Sequence, residues 1–142
     1  MDAPAWVLDA LDRSRVARLA TVDAGGEARL VPVCFAVLGD VVVSAVDHKP
    51  KRTGQLRRLD DARARGRATL LVDRYDEDWT TLWWVRVRGA AAVHEPGSPF
   101  AAQALEALCA KYEQYRRRPP AGAVLAIAAG ELRWWRWSEP DP

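Results

Sequence analysis

The sequence of 142 residues is poor in the residue types that build metal centres and disulfide scaffolds. It has two cysteines, Cys34 and Cys109, and two histidines, His48 and His94. The cysteines show neither metal-type spacing nor a paired motif, which excludes a zinc ribbon and a disulfide framework. Each falls in an apolar pattern, one on a strand and one on a helix, so both are expected to be small core residues in a protein of the reducing cytoplasm.

Long apolar runs and a large charge excess are also missing. No run approaches the roughly 20 apolar residues that a membrane helix needs, and the first residues, MDAPAW, are acidic where a secretory signal is basic. The sequence therefore predicts a protein that is neither exported nor membrane-spanning. The net charge of +2 is too small for general nucleic-acid binding, so any anion site must be local.

Familiar catalytic motifs are absent as well. There is no dinucleotide glycine fingerprint, phosphate-loop lysine motif or zinc-binding His-Glu pair. No serine or cysteine has a base partner suggested by the sequence, which leaves nucleophilic catalysis without support. If the protein is an enzyme, a bound cofactor must carry the reaction while the protein holds and orients it.

The hydrophobic pattern predicts a single mainly β domain over residues 1–142. Residues 4–13 have helical spacing after Pro4, and the pair Ser98-Pro99 is a strong start for a second, longer helix running to Arg118. Strands are predicted over residues 16–22, 29–38, 41–46, 67–73 and 82–93, with a last hairpin over 123–137. Six or seven strands, mostly joined by hairpins, indicate an antiparallel barrel with helical insertions.

The strand predicted over residues 29–38 is apolar on both faces, so we expect both faces to be covered. Pro32 lies inside it. Since proline cannot donate to a β-ladder, this point must be an edge, a bulge or a place where something other than a strand lies alongside.

A basic turn follows the third strand. Residues 47–58, DHKPKRTGQLRR, carry five cations against one carboxylate, and two of the three lysines in the chain fall here. A turn that leads into a helix N-terminus and is flanked by Lys and Arg is typical of a phosphate site. The alternative is an ordinary solvated charge run, and His48 is better explained in that way.

Residues 82–93 alternate, with Trp83, Val85 and Val87 on one face. Trp84, Arg86 and Arg88 share the other face. This second face is either a wall for a planar anionic ligand or an exposed surface with one aromatic side chain. Seven tryptophans in so short a chain suit interfaces and ring-binding pockets.

Several segments together resemble the flavin and deazaflavin oxidoreductases with a split β-barrel, the superfamily that includes the pyridoxamine 5'-phosphate oxidases. The likeness extends over most of residues 16–137, and order and spacing carry it rather than any single motif. The segments are ARLATVD at 17–23 with the turn Gly25-Gly26, RLVPV at 29–33, KPKR at 49–52 with LRR at 56–58, LLVD at 70–73, VRVRG at 85–89 and RWWRW at 133–137. VDHKPK at 46–51, DEDW at 76–79 and LWWVR at 82–86 resemble most an actinobacterial subgroup of F420-dependent enzymes.

This resemblance implies a homodimer with two cofactor sites at the subunit interface. It places the cofactor ring along the strand Val31-Pro32-Val33 and the phosphate on Lys51 and Arg52, with Ser44 and Lys49 nearby. Relatives often have the key lysine four residues before the leucine that matches Leu56, and that position is Arg52 here. Trp84 is the further cofactor-binding candidate, on the strand whose Trp-Arg face was described above.

The resemblance favours coenzyme F420 over FMN as the cofactor. Both carry a phosphate, but F420 adds a polyglutamate tail, for which Arg57 and Arg58 offer cations. The expected activity is hydride transfer between the deazaflavin and a small organic substrate. The alternatives are an FMN-dependent oxidase or reductase of the pyridoxamine-phosphate type, and a module that binds a flavin or haem without turnover.

Overall fold

The computed structural model of the protein describes residues 1–46 and 53–140. Four α-helices are present: α1 (Ala5–Arg13), α2 (Thr53–Arg65), α3 (Pro99–Lys111) and α4 (Glu113–Arg117), with a 3-10 turn at Trp79–Thr81. The strands are β1 (Ala17–Val22), β2 (Ala28–Val33), β3 (Ala36–Leu38), β4 (Val41–Ala45), β5 (Arg67–Arg74), β6 (Trp83–His94), β7 (Val124–Ala128) and β8 (Glu131–Arg136).

All the strands join one curled antiparallel sheet. Seven follow one another in the order β2-β1-β5-β6-β7-β4-β3, and β8 adds to β6. The predicted fold class, a mainly β split barrel with flanking helices, is confirmed. The described strands number eight rather than six or seven, because the strand expected over residues 29–38 is broken at Cys34 and Phe35 into β2 and β3.

The longest strand, β6, connects the two halves of the sheet. One edge of β6 pairs with β5, while the other pairs with β8 from Trp83 to Arg88 and with β7 from Ala91 to His94. The hairpin expected over residues 123–137 is therefore wrong: in the described pairings β7 and β8 lie end to end along β6. Gly89 lies on β6 between these two pairings, and a Cβ atom there would lie 1.7 Å from the carbonyl oxygen of Ala128.

Two apolar clusters pack on the sheet. The larger fills the concave side, where α1 contributes Val7 and Leu11 and α2 contributes Leu59 and Ala62. The smaller lies between α3 and the strands β3, β4 and β7, and the half-buried Cys34 and Cys109 pack against it. The cysteines thus lie at the margin of a core, and both are free thiols.

The helices mostly begin where the sequence predicts. Pro4 is the N-cap residue of α1, and the Ser98 hydroxyl accepts a hydrogen bond from the Ala101 N–H at the start of α3. The long helix expected to reach Arg118 instead ends at Lys111, since Tyr112 leaves the helical conformation and α4 starts anew at Glu113. Among the described residues, no helix has the length and apolar character needed to cross a membrane.

Candidate functional site

A cavity of about 450 Å³ opens on the convex face of the sheet, on the side of β1, β2, β5 and β6 opposite the larger apolar cluster. Its walls are mainly apolar, with two arginines and one carboxylate among them. Strands β1, β2, β5 and β6 and the residue after β5 supply the lining, which comprises Arg18, Ala20, Leu30, Thr69, Leu71, Asp73, Tyr75, Trp84 and Arg86. The volume lies within the roughly 300–1,000 Å³ typical of small-molecule sites.

Strand register explains why these side chains share one face. Ala20 on β1 lies opposite Leu30 on β2 and Thr69 on β5. Further along the ladder, Leu71 on β5 lies opposite Arg86, and Asp73 lies opposite Trp84. Because directly paired residues of an antiparallel sheet point to the same side, the alternation predicted for β6 is confirmed and extends over four strands.

The charged groups of the cavity are only loosely paired with one another. Arg18 Nη1 lies 3.9 Å from Asp73 Oδ1, and Arg86 Nη2 lies 3.6 Å from Glu131 Oε1 on β8. The Arg86 guanidinium stands 5.6 Å from the centre of the Trp84 ring, in the range of a cation–π contact. Arg86 Nε is buried and finds no hydrogen-bond acceptor in the described part of the chain.

The loop at the rim of the cavity, residues 75–81, is braced by its own side chains. Asp76 accepts hydrogen bonds from the Asp78 N–H and the Thr81 hydroxyl, and Asp78 accepts from the N–H and hydroxyl of Thr80. The bonds from Thr80 hold the pKa of Asp78 below its usual value. The bracing presents two exposed aromatic rings, Tyr75 and Trp79, so the loop is more organised than its acidic sequence indicated.

The strand expected to carry the cofactor ring lies at one end of the sheet. Strand β2 pairs with β1 and with no other strand that the structure describes, so of the three alternatives left open at Pro32 the edge is the one observed. Pro32 is exposed opposite Arg18, while Val31 is half-buried and Val33 is buried. The expectation that both faces of this segment are covered is wrong, because Leu30 is 68% exposed in the protomer.

Most residues of the predicted phosphate site lie outside the part of the chain that the structure describes. Lys49, Lys51 and Arg52 lie outside the described residues. Ser44, before them on β4, is buried and alternates with the core residue Val43, so it shares the strand face of Val42 and the larger apolar cluster. Arg57, after them on α2, is exposed. The assignment of these residues to a cofactor stays a prediction.

Helix α2, which follows the basic turn, is tied to the edge of the sheet by a buried carboxylate. Asp61 accepts hydrogen bonds from the Thr21 hydroxyl at 2.7 Å and from Arg29 Nε at 2.9 Å. Burial raises the pKa of Asp61, but the hydrogen bonds from Arg29 and Thr21, with the charges of Arg29 and Arg65, outweigh it and leave the pKa below its usual value. The sequence pattern gave no indication of this link between α2, β1 and β2.

The structure thus brings together some of the predicted site residues and adds others. Trp84 and Arg86 line the cavity with Leu30, which directly precedes the predicted ring-binding segment. Ser44 lies in the other half of the sheet, three places beyond β5 in the strand order. Arg18, Asp73 and Tyr75 were missed, because only the pairing of β1 with both β2 and β5 shows that they meet at one place.

Comparison with known proteins places the chain in a family. The model of the pyridoxamine 5'-phosphate oxidase family matches residues 4–136, so the chain belongs to that family. A comparison with curated proteins found no match.

Solved structures share the fold at low sequence identity. A conserved hypothetical protein from Mycobacterium tuberculosis is 19% identical, with a TM-score of 0.74 over 96% of this chain and 86% of that one. An FAD-binding protein from Mesorhizobium loti is 16% identical, with a TM-score of 0.68 over 94% of each chain. A heme binding protein from Mycobacterium smegmatis is 18% identical, with a TM-score of 0.69 over 95% of this chain and 55% of that longer one.

Proposed function

We propose that the protein is an oxidoreductase that binds coenzyme F420 as a homodimer and moves a hydride between the deazaflavin and a small organic substrate. The family includes oxidoreductases and binds flavins. The observation that carries the proposal is the cavity on the convex face, which adjoins the edge strand β2 and has mainly apolar walls. An edge strand has unpaired backbone N–H and C=O groups that can bind the polar side of a flavin-type ring.

The bound deazaflavin would supply the hydride chemistry, and the protein would supply position. The segment Val31-Pro32-Val33 lies along the ring in this proposal, and Lys49, Lys51 and Arg52 bind the phosphate. The buried pair of Asp61 and Arg29 supports this arrangement, because it ties α2, the helix that follows the basic turn, to β2. Hydride transfer needs the donor and acceptor carbons held a few Å apart, which apolar walls can provide.

The homodimer is supported by the apolar character of the convex face. Leu30 and Trp135 lie on this face and are 68% and 41% exposed, and Tyr75 and Trp79 stand exposed at its rim. Exposed apolar patches of this kind mark contact surfaces, and a second copy of the chain is the occupant we propose. Such a contact would place β8 and the rim loop of one copy over the cavity of the other.

The preference for F420 over FMN depends on the cations beyond the phosphate site. Arg57 is exposed on α2, in the second turn after the basic segment. A chain of glutamates attached to the phosphate would find a cation there, whereas FMN ends at its phosphate.

Titration of the purified protein with F420 and, separately, with FMN tests the proposal. We expect a saturable change in F420 fluorescence at micromolar protein and weaker binding of FMN. Protein that is purified yellow and releases FMN on denaturation would favour the FMN alternative. Tight ligand binding, of haem or of a flavin, without reduction of any quinone, enone or dye would favour the non-catalytic alternative.

Removing the two central cations tests the phosphate site within this proposal. The double variant Lys51→Ala, Arg52→Ala should weaken F420 binding by a few kcal/mol, roughly the sum of two charge-assisted hydrogen bonds, while the fold stays intact. The matched control is Arg117→Ala, Arg118→Ala, which removes the same charge from the exposed end of α4. Unchanged affinity in the first variant would remove the basic turn from the site.

A further inference from the structure

The walls of the convex cavity differ in chemistry from one side to the other. Ala20, Leu30 and Leu71 form an apolar floor on three neighbouring strands, and Trp84 adds a flat aromatic surface on the fourth. Floors of this kind bind planar apolar groups because they exclude water from both the ligand and the wall. The floor ends at Arg86, two residues along β6 from Trp84 on the same face.

Arg86 has donors that the described residues do not satisfy. Its Nε is buried without an acceptor, which carries a free-energy cost unless a partner is supplied. Its Nη2 lies 3.6 Å from Glu131, beyond the roughly 3.2 Å limit of a normal N–H···O bond. Glu131 is also shared, since Arg133 Nε lies 3.8 Å from the same oxygen atom.

The charges at the cavity leave one cation in excess. Arg18 and Arg86 line it with Asp73, and Glu131, the carboxylate beside Arg86, is shared with Arg133, so three cations face two carboxylates. Asp73 is 3.9 Å from Arg18, too far for a hydrogen bond, so this pair is weak. A ligand with one negative charge would balance the cavity, and a planar carboxylate suits arginine because two guanidinium N–H groups match its two oxygens.

We infer that the substrate of the proposed reaction is a planar conjugated monocarboxylate, with its carboxylate on Arg86 and its flat body against Trp84 and Leu71. This inference rests on the proposed function, since Leu30 connects the floor of the cavity directly to the strand segment assigned to the cofactor ring. The substrate would therefore lie beside the ring, within the reach that hydride transfer requires.

Calorimetric titration with two probes of the same shape tests the inference. The probes are 2-naphthoate and the neutral 2-naphthylmethanol, added to the full-length protein in the presence of saturating cofactor. Wild type should bind naphthoate at least tenfold more tightly than the alcohol. Arg86→Gln should weaken naphthoate binding at least tenfold, leave the alcohol within twofold, and retain cofactor affinity. Arg117→Gln is the matched control and should leave both probes within twofold, since Arg117 is exposed on α4 and does not line the cavity.

The results separate the inference from the proposed function. Equal affinity for the two probes, no saturable binding of naphthoate, or an equal loss in Arg117→Gln would overturn it, as would loss of the cofactor itself in Arg86→Gln. If Arg86→Gln does not fold, Arg18→Gln serves instead, with a weakening of at least threefold expected for naphthoate alone. Naphthoate binding that depends on Arg86 in a protein that binds neither F420 nor FMN would retain the carboxylate site and overturn the redox function.

Discussion

At the scale of single residues, Lys111 and Tyr112 form a polar junction between α1, α3 and the break separating β2 from β3. Lys111 Nζ donates to the Leu11 carbonyl and lies 3.8 Å from the centre of the Phe35 ring. The Tyr112 hydroxyl accepts from the Phe35 N–H and lies within hydrogen-bond distance of the carbonyls of Arg15 and Phe35. Burial lowers the pKa of Lys111 to about 8 and raises the pKa of Tyr112 to about 12.

The lowered pKa of Lys111 predicts that the folding stability depends on pH. Between pH 8 and 10 the unfolded chain keeps the lysine proton while the folded protein loses it, so the free energy of unfolding rises with pH. Above pH 10 the raised pKa of Tyr112 acts in the opposite sense, because the unfolded tyrosine ionises first. Since Lys111 is only half-buried, we expect a gain of about 1 kcal/mol between pH 7.5 and 9.5 after allowing for solvent screening.

Urea unfolding of wild type and Lys111→Met at these two pH values measures the effect. The difference in unfolding free energy between the two proteins should shift in favour of wild type at the higher pH. Identical pH slopes in both proteins would show that the lysine titrates as it does in the unfolded chain.

Residue-level reading of the sequence succeeded where the chemistry is local. Pro32 indicated an interrupted β-ladder, with an edge among the alternatives, because a missing N–H is a property of the residue itself, and the Ser98 cap follows from its side chain. Arg18 and Asp73 could not be found in this way. Their meeting depends on a pairing between β1 and β5 that bridges about fifty residues of sequence.

At the scale of secondary-structure elements, α2 owes its position to the buried link from Asp61. The Asp61 side chain is 6% exposed and that of Arg29 is 24% exposed, so the pair is largely shielded from water. Breaking such a pair leaves a buried charge without its partner, which costs more than the pair itself contributes. The later turns of α2 are therefore held to β1 and β2 by this contact.

Asp61→Asn should lower the free energy of unfolding by about 3 kcal/mol, because Arg29 loses its charged partner. The adjacent Asp60→Asn is the matched control: Asp60 is 72% exposed and 3.6 Å from Arg63, so a change within about 0.5 kcal/mol is expected. Chemical denaturation of both variants compares them directly. Similar losses in the two would mean that the buried link does not stabilise α2.

The point on β6 where its partner changes from β8 to β7 requires a glycine at position 89. A Cβ atom there would lie 1.7 Å from the Ala128 carbonyl oxygen, a backbone atom that cannot move without displacing a strand. Gly89→Ala should therefore destabilise the protein by several kcal/mol or prevent folding. Gly130→Ala is the control, since the nearest atom to its Cβ would be 3.6 Å away. Equal melting temperatures for the two variants would contradict the requirement for glycine at position 89.

The elements themselves were largely predictable, and their connections were less so. The residues of β6 alternate in type with a period of two, and this alternation predicted both the strand conformation and its two faces. The sequence of β7 and β8, two strands separated by Ala129-Gly130, fits a hairpin equally well. Only the long partner strand β6, which both of them pair with, selects the end-to-end arrangement.

At the scale of the whole molecule, one face of the sheet is filled by the larger apolar cluster with α1 and α2. The other face is covered by α3 over β3, β4 and β7 and is open over β1, β2, β5 and β6. This open face carries Leu30, Trp135, the cavity and the aromatic rim loop. Membership of the pyridoxamine 5'-phosphate oxidase family accounts for the fold, and the open face is where we place both the cofactor and the second subunit. If this is correct, cofactor binding and dimerisation are linked, since each site draws on both copies.

Sedimentation velocity, with detection at the visible absorbance band of bound F420, tests this central claim most directly. We predict that the absorbance sediments with a species of twice the 15.8 kDa chain mass, at two cofactors per dimer. In the Leu30→Asp variant, we predict that the F420 absorbance no longer sediments with the protein. Cofactor that sediments with a single chain, or a dimer that carries none at saturating F420, would contradict the account.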